Sequence, residues 1–371
     1  MDLLGIRLLL QLGRTVPLPA PYAVMSALRE IEVTNKDRER DGFKLKLTLG
    51  KETPLDYSLL TSGLLDPPNR LVISVIFGAL PQVLIDGIIT HQQFQPSNQP
   101  GESQLHLMGE SVAVMLELEE KTEVYPNQPD SVIVTRLLAS YAQYGLVPKV
   151  TTTTDIPIET DRVPSQQGSD LACIQSLAEK NGFVFYIEPG PVPGTNIAYW
   201  GPENRLDVPQ SALTMNMGAL TNVDAPINFT YNALGPASPE ITIVEPNTRL
   251  PISIPVPSGL NLPLARRPAT VLRRIIDRNS AKLNPYQAGL RGTATSSESA
   301  DPIQASGELN AVRYGRSLKS RRLVGVRGVG DTYNGDYYVK EVTHTIQAGS
   351  YRQQFKLKRE GFGAVKSVVT L

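Results

Sequence analysis

The sequence predicts a mainly β fold with α+β insertions, and three observations lead to this class. Of the 371 residues, 30 are proline and 29 are glycine, while aromatic residues make up only 6%. This composition favours short strands and turns over a helical bundle. Several segments also alternate apolar and polar side chains with period two, which is typical of half-buried strands. The third observation is a pair of similar strand motifs near the two ends of the chain.

The first strands are predicted between residues 30 and 122. Residues 43–49 alternate without a break, so that four apolar side chains share one face. Residues 71–77 and 83–89 are apolar and rich in β-branched side chains, and residues 78–81 between them contain glycine and proline, which favour a turn. We therefore expect a small β-barrel or sandwich over 30–122.

The N-terminal segment, 1–29, is expected to dock on a core or on a partner. Its apolar run ends at Leu12, is interrupted by Arg7 and has no basic residue before it. It is too short to span a bilayer and lacks the architecture of a signal peptide.

The middle of the chain, 123–235, predicts an α+β domain. A helix is expected from about Asp130 to residue 144, and a second helix is expected between a capping Ser169 and a terminating Gly182. The apolar residues 183–187 then predict a buried strand.

Between 236 and 308 the sequence predicts an extended or mobile insertion. Eight prolines fall within residues 236–268, and a helix cannot form at that density. Residues 289–308 are dominated by small and polar side chains and are expected to be mobile. The last segment, 309–371, returns to a β pattern and predicts strands at 322–329, 337–346 and 351–358.

A sequence echo connects the two β-rich ends. EVTN at residues 32–35 is followed by FKLK at 43–46, and EVTH at 341–344 is followed by FKLK at 355–358. Both pairs predict a hairpin. The echo has two interpretations, a chance likeness of amphipathic strands or a duplicated barrel with one copy near each end.

Residues suited to catalysis or metal binding are sparse, so we predict no catalytic, cofactor or metal site. The three histidines, His91, His106 and His344, have no metal-ligand spacing, and Cys173 is the single cysteine. No nucleophile elbow or phosphate-binding loop occurs. The adjacent pair at 119–120 would diverge on a helix and would not form a hydrolase dyad.

The formal net charge is zero, with 36 basic and 36 acidic residues, which argues against a dedicated nucleic-acid binder. Residues 263–327, however, contain 13 Lys or Arg and four Asp or Glu, a net of +9, so the remainder carries −9. The basic residues there could face solvent, form a polar assembly interface or contact a polyanion. The predicted interface consists of three arginine doublets: Arg266, Arg267, Arg273, Arg274, Arg321 and Arg322.

Three segments resemble the hub proteins of contractile tails in the same order. Residues 169–186, SDLACIQSLAEKNGFVFY, resemble the hub pattern S/T-D-L-x-x-L-x-x-L-A-x-x-N/H-G-F-x-F-Y. Residues 82–90 are similar to an x-x-x-F-x-G-x-V-T strand, and residues 337–344 with 351–359 are similar to a closing Y-x-V-x-x-V-x-H … Y-x-x-x-F-x-L-x-R hairpin. The family includes phage baseplate hubs, late control D proteins and the N-terminal part of VgrG spikes. The resemblance covers about 25–235 and 305–362.

The resemblance implies two tube-like β-barrel domains plus a smaller α+β domain in each subunit. It implies a non-enzymatic baseplate hub, a homotrimeric ring that adapts a sixfold inner tube to a threefold spike. The implied partners are the inner tube protein, a separate spike protein and baseplate wedge proteins, with no specific nucleic acid and no cofactor. Since the chain ends at Leu371 without a valine–glycine repeat, we expect the piercing tip to be a separate polypeptide.

The resemblance also implies assembly in the cytoplasm, followed by incorporation into a phage tail or a phage-like contractile injection particle. Membrane contact would occur only through that particle. Two other functions stay open, a cell-wall hydrolase and a polyanion-binding component of the same puncturing device.

Overall fold

The computed structural model describes residues 2–3, 5–50, 57–78, 80–157, 159, 163–244, 249–256, 261–277 and 285–365. Its first part consists mainly of strands, as the period-two alternation predicts. The elements there are β1 (Asp2–Leu3), β2 (Ile6–Gly13), β3 (Leu18–Pro19), α1 (Tyr22–Ala27), β4 (Leu28–Lys36), β5 (Gly42–Leu49), α2 (Ser58–Thr61), β6 (Arg70–Phe77), β7 (Leu80–Gln95) and β8 (Ser103–Ser111).

The middle part combines short strands with two longer helices. Its elements are a 3-10 helix (Val112–Leu116), β9 (Glu120–Val124), α3 (Asp130–Ala139), a 3-10 helix (Ala142–Tyr144), β10 (Leu146–Val150), β11 (Ser165–Ser169), α4 (Asp170–Asn181), β12 (Val184–Pro189) and β13 (Asn196–Gly201). Helix α4 begins and ends where predicted. Ser169 Oγ accepts a hydrogen bond from Ala172 N at 3.2 Å, and Gly182 ends the helix in the left-handed region at φ 67°.

The remaining elements contain a second series of strands. They are β14 (Gln210–Thr214), a 3-10 helix (Gly218–Leu220), β15 (Asn228–Tyr231), β16 (Ala237–Val244), β17 (Pro251–Ile254), β18 (Ala265–Pro268), β19 (Arg273–Asp277), α5 (Pro285–Glu298), β20 (Ile303–Asn310), α6 (Ala311–Tyr314), β21 (Leu323–Arg327), β22 (Gly335–Gln347), β23 (Ser350–Arg359) and β24 (Gly361–Ala364). The three strands predicted after residue 320 are confirmed as β21, β22 and β23.

Fourteen strands form one sheet with open ends. The hydrogen-bonded order is β1-β2-β6-β7-β8-β5-β4-β22-β23-β20-β15, and β3, β14 and β21 attach beside it. The predicted mainly β class with α+β insertions is therefore confirmed. The described strands do not close into a barrel, because the sheet path ends at β1 and at β15.

The curved sheet covers two separate apolar cores, and the α+β part has a third. Leu10, Ile31 and Leu45 belong to the core beneath the first strands, and Phe355 belongs to the core beneath the last ones. Trp200 is fully buried in the third core, where α3 packs on β10 and α4 packs on β12. The first core also includes Ala311, Ile346 and Tyr351 from the last part of the chain, so the two halves of the sheet are joined by side-chain packing as well as by the β4–β22 pair.

The sequence echo corresponds to two hairpins that lie side by side. Strands β4 and β22 are antiparallel neighbours, with Thr34 opposite Thr343. The Oγ1 atoms of the two threonines are 3.2 Å apart. On either side of them, Val33 lies opposite His344 and Asn35 lies opposite Val342. In the two motifs Val33 is equivalent to Val342 and Asn35 is equivalent to His344, so the pairing stays the same when the two motifs are interchanged. The threonine pair therefore marks a local twofold axis.

The likeness of the two hairpins includes their ion pairs. Glu32 lies opposite Lys44 across the first hairpin, and the Oε1–Nζ distance is 3.4 Å. Glu341 lies opposite Lys356 across the second hairpin at 3.0 Å.

It also includes the next strand on each side. Phe43 pairs with Gly109 of β8, and Phe355 pairs with Gly307 of β20. A Cβ on Gly109 would lie 2.3 Å from Phe43 Cζ, and one on Gly307 would lie 2.6 Å from Phe355 Cζ. Each ring thus packs on a glycine, and a larger residue at the position of the glycine would displace the ring. The units β8-β5-β4 and β20-β23-β22 match in detail, which favours duplication over chance.

The N-terminal segment joins the sheet itself. Strand β2 pairs with β6 along its whole length, from Ile6 opposite Phe77 to Gly13 opposite Arg70. Its alternate side chains are buried in the first core.

Within the predicted extended or mobile insertion, 236–308, residues 285–298 form helix α5, whereas β20 is an extended strand. The proline-rich part forms strands β16, β17 and β18, whereas α5 packs on β16. Small residues allow this contact, since a Cβ on Gly292 would lie 2.6 Å from Ile241 Cδ1. Such packing joins residues about 50 positions apart, so local composition cannot indicate it. Residues 245–248, 257–260, 278–284 and 366–371 of the predicted segments lie outside the described residues.

Candidate functional site: joints and assembly surfaces

The side chains suited to chemistry are dispersed. Among the described residues, no group of three His, Cys, Asp or Glu side chains could hold a metal ion. Burial raises the pKa of Cys173 to about 11, so its side chain stays a thiol. His91 is exposed on β7, and Glu119 and Glu120 are exposed around the start of β9. The polar groups that do converge lie at joints between parts of the fold.

The first joint is the contact between the two half-sheets. His344 is 2% exposed, and burial lowers the pKa of its ring to about 3, so the ring is neutral. Its Nδ1 lies 2.8 Å from Tyr351 Oη, and its Nε2 lies 3.2 Å from Asn35 Oδ1. With the tyrosine hydroxyl donating to Nδ1, Nε2–H donates to the asparagine. Asn35 and His344 are equivalent residues of the echo, so this bond also lies at the local twofold axis.

The second joint is a cluster of charged side chains where several parts of the chain meet. We call this set the charge cluster; it comprises Asp37, Arg38, Glu203, Arg205, Asp301, Lys358 and Glu360. Its members come from the β4–β5 turn, the segment after β13, the segment before β20 and the end of β23. The cluster therefore links both half-sheets to the α+β part.

Lys358 and Arg205 are the central cations of the charge cluster. Lys358 Nζ lies 2.5 Å from Glu203 Oε1 and 3.2 Å from Asp37 Oδ2. An Arg205 guanidinium nitrogen, Nη2, lies 2.9 Å from Glu203 and 2.5 Å from Asp301. Burial by itself would raise the pKa of Glu203, but Lys358 and Arg205 more than offset it and lower that pKa to about 2. The carboxylate consequently remains charged.

A third joint fixes the α+β part to the first half-sheet. Arg70 forms a bidentate ion pair with Asp86, with N–O distances of 2.7 and 2.6 Å, and both residues are buried. Arg70 also donates to the carbonyl oxygens of Tyr144 at 2.9 Å and Gly194 at 3.1 Å. One guanidinium thus holds two separate parts of the chain together.

The six arginines of the predicted interface do not share one surface. Arg321 is 2% exposed and its guanidinium binds Asp41 at 2.6 Å, above the ring of Tyr186. It cannot reach a partner, so its assignment to the interface is wrong. Arg322 is half-buried and pairs with Glu188 at 2.8 Å. An arginine doublet in the sequence does not show whether its members are buried. The burial of Arg321 depends on Asp41, which is 280 residues away in the chain.

The other four predicted arginines are exposed. Arg266 and Arg267 lie on β18, and Arg273 and Arg274 lie on β19. Within the described residues no acidic side chain pairs with them. We call these four residues the basic strip. Exposed apolar residues lie between its two doublets, since Leu272 is 62% exposed.

A surface of opposite charge follows the first 3-10 helix. Glu117, Glu119 and Glu120 are exposed, and Leu118 between them is 69% exposed. We call residues 117–120 the acidic strip. Arg40 pairs with Glu117, whereas Lys121 lies 3.9 Å from Glu119. The sequence analysis places the pair at 119–120 on a helix; in the structure Glu120 instead begins β9.

The outer side of the six central strands is polar. Side chains there alternate with the buried ones and combine acidic residues on β4 and β22 with basic residues on β5 and β23. The face includes Glu30, Glu32, Thr34, Lys44, Lys46, His106, Glu341, Thr343, Arg352, Gln354 and Lys356.

This architecture is that of phage tail proteins and of VgrG-type proteins of type VI secretion. The fold is similar to solved structures of both groups, in agreement with the resemblance in sequence. No family model and no curated protein matches the sequence. Among the described residues, no helix has the length and apolar character needed to cross a membrane.

Three solved structures illustrate the likeness. A tail protein from Neisseria meningitidis MC58 has a TM-score of 0.63 at 13% identity, covering 97% of this chain and 98% of its own. The 43 kDa tail protein of prophage MuSo2 from Shewanella oneidensis also reaches 0.63 at 13% identity, with 95% and 98% covered. A component of the Escherichia coli type VI secretion system, described as similar to phage T4 tail proteins gp27 and gp5, has a TM-score of 0.56 at 12% identity, with 92% and 77% covered.

Proposed function

We propose that the protein is the structural baseplate hub of a contractile tail or injection system. In this proposal three copies form a ring that adapts a sixfold inner tube to a threefold spike. The coarser role, a structural component of a tail-like particle, is supported by the fold shared with phage tail and type VI secretion proteins. The proposed role involves no enzymatic reaction.

The observation that carries the proposal is the local twofold axis between Thr34 and Thr343. One chain presents two matching three-stranded units, β8-β5-β4 and β20-β23-β22. Three such chains present six similar units around a ring of threefold symmetry, and this count supports a sixfold neighbour. The twofold axis reverses one unit relative to the other, so the six units alternate in direction around the ring. In this proposal each half-sheet takes the place of one tube-like barrel expected from the resemblance.

The strand order supports closure into a ring. From β7 to β15, eight strands follow one another and each pair is antiparallel. Residues 91–95 of β7 pair with β8 alone, and β15 pairs with β20 alone, within the described part of the chain. The two open edges run in opposite directions, so β15 of one copy can pair antiparallel with β7 of the next.

The polar outer face supports a water-filled channel on one side of the sheet. An antiparallel sheet with one face on a core exposes its other face to water. Here that face carries both acidic and basic side chains. It therefore suits a channel wall that does not strongly bind charged groups of either sign. The predicted partners follow: the inner tube protein and a separate spike protein at the two rims, and baseplate wedge proteins outside.

The test is the mass and shape of the purified full chain. We expect light scattering at micromolar concentration to give three times the chain mass, and negative-stain images with the tube protein to show rings at tube ends. A stable monomer at micromolar concentration, with no ring formed on adding the tube protein, would overturn the proposal. A cleared zone for this protein in a peptidoglycan zymogram would instead support the hydrolase alternative.

A further inference from the structure

The basic strip differs in its surroundings from several other arginines of this protein. Arg40, Arg70, Arg205 and Arg321 each bind a carboxylate within the chain. The four arginines of the basic strip have no such partner among the described residues, although exposed Val271 and Leu272 separate the doublets. Unpaired guanidinium groups around exposed apolar side chains are characteristic of protein contact surfaces.

The acidic strip has the complementary composition. Three carboxylates surround the exposed Leu118, and Glu120 lies on β9, which pairs with β11 alone within the described residues. The basic strip likewise ends on β19, which pairs with β16 alone. No ion pair joins the two strips within one described chain, so each strip remains able to bind a partner.

Their positions in the sheet explain how two copies would meet. The acidic strip follows β8, next to β7 at one end of the eight-strand series. The basic strip lies in the insertion between β15 and β20, which occupy the other end. Strands β8 and β15 run in the same direction, because an even number of antiparallel steps separates them. The segments that follow them therefore emerge at the same end of the sheet.

We propose that the basic strip of one copy docks on the acidic strip of the neighbouring copy. This inference rests on the proposed ring and specifies the contact that closes it. When β15 of one copy lies beside β7 of the next, the two strips face each other at the same rim. Leu272 and Leu118 supply an apolar centre, and the arginine–glutamate pairs surround it. Opposite charges at such a position select the head-to-tail register, because like strips repel.

Charge reversal tests this contact in the full chain. The variant R273E/R274E and the variant E119R/E120R are each expected to raise the dissociation constant of the oligomer about tenfold or more, measured by mass photometry. The fourfold variant that combines them restores opposite charges and is expected to return within about threefold of the unaltered protein. R29E/K149E reverses two exposed cations outside the strips and should leave the constant unchanged. Circular dichroism verifies that each variant is folded.

The outcomes separate the contact from the ring itself. An unaltered protein that is monomeric overturns the proposed function. An oligomeric protein whose constant is insensitive to both reversals, or whose fourfold variant is as weak as the twofold ones, overturns this inference alone. If R273E/R274E abolishes retention on a heparin column while leaving the oligomer intact, the basic strip binds a polyanion and the proposed contact is wrong.

Discussion

Buried ion pairs stabilise this fold, and Arg321 with Asp41 is one of them. Both side chains are nearly inaccessible, and Arg321 Nε has no hydrogen-bond partner. Removing one member leaves an uncompensated charge in the interior, which is costlier than removing both. The residue at position 321 also adopts a left-handed conformation, at φ 62°.

We therefore predict that Arg321→Ala lowers the free energy of unfolding by about 3–5 kcal/mol. The double variant Asp41→Leu/Arg321→Ala should lose less than the single one, because no charge stays unpaired. Urea denaturation at one fixed protein concentration measures both. Arg352→Ala removes an exposed pair with Glu308 and should cost less than about 1 kcal/mol. Equal losses at the two arginines would contradict this account.

His344 gives the fold a dependence on pH with a defined direction. Its pKa is about 3 in the folded protein and near 6.5 when exposed. Between these values the unfolded chain binds a proton that the folded chain does not. The contribution of His344 to the free energy of unfolding is fully present above pH 6.5. It falls as the pH decreases towards 3, by about 1.4 kcal/mol per pH unit below pH 6.

His344→Gln should remove this slope between pH 6 and 4.5, since glutamine does not titrate. Unfolding midpoints in urea measured across that range provide the measurement, and His91→Gln on the exposed part of β7 is the matched control. A slope of the same size in His344→Gln would show that another group causes it.

At the scale of elements, the two Phe–Gly pairs allow a comparison within one molecule. The three atoms nearest to a Cβ on Gly307 all belong to the ring of Phe355, whereas a Cβ on Gly109 also lies 2.2 Å from the carbonyl oxygen of Ile88. A ring can rotate away, but a backbone oxygen in the same sheet cannot. We predict that Gly307→Ala costs about 1–3 kcal/mol and that Gly109→Ala costs more.

Thermal unfolding of the two variants measures the difference. Phe355→Leu makes room at the second pair, so Gly307→Ala should cost less in that background than alone. Phe43→Leu should not rescue Gly109→Ala, because the carbonyl clash persists. Equal rescue at both sites would mean that the ring contact dominates in each half.

The same elements show how far the sequence predicts the fold. Helix α4 could be predicted with both ends because Ser169 and Gly182 are local signals. The EVT and FKLK motifs predict two hairpins, yet their pairing through Thr34 and Thr343 joins strands 309 residues apart. No local pattern encodes such a contact. The same reason explains the burial of Arg321 and the helical state of α5. Of the predicted interface, only the four arginines on β18 and β19 are exposed.

At the scale of the whole molecule, the zero net charge is the sum of separate surfaces. The seven groups of the charge cluster are largely neutralised internally, whereas the basic and acidic strips are exposed at distant places in the sheet order. Interactions between exposed charges are largely screened by salt when the charges are separated by more than the Debye length, about 8 Å at physiological ionic strength. Contacts between strand edges depend on hydrogen bonds and do not weaken in this way.

A proline in β15 tests the strand-edge contact separately from charge. Asn232 N donates to the carbonyl of Pro302 on the β20 side, so by alternation the N–H and C=O of Tyr231 point to the open edge. Tyr231→Pro removes one donor from that edge without removing a bond to β20, and proline is tolerated at such positions. We predict an intact fold and a weaker oligomer for Tyr231→Pro. Tyr231→Ala loses the same ring but keeps the N–H, so it should assemble more tightly than the proline variant in mass photometry. Equal assembly of the two variants would mean that β15 does not pair across copies.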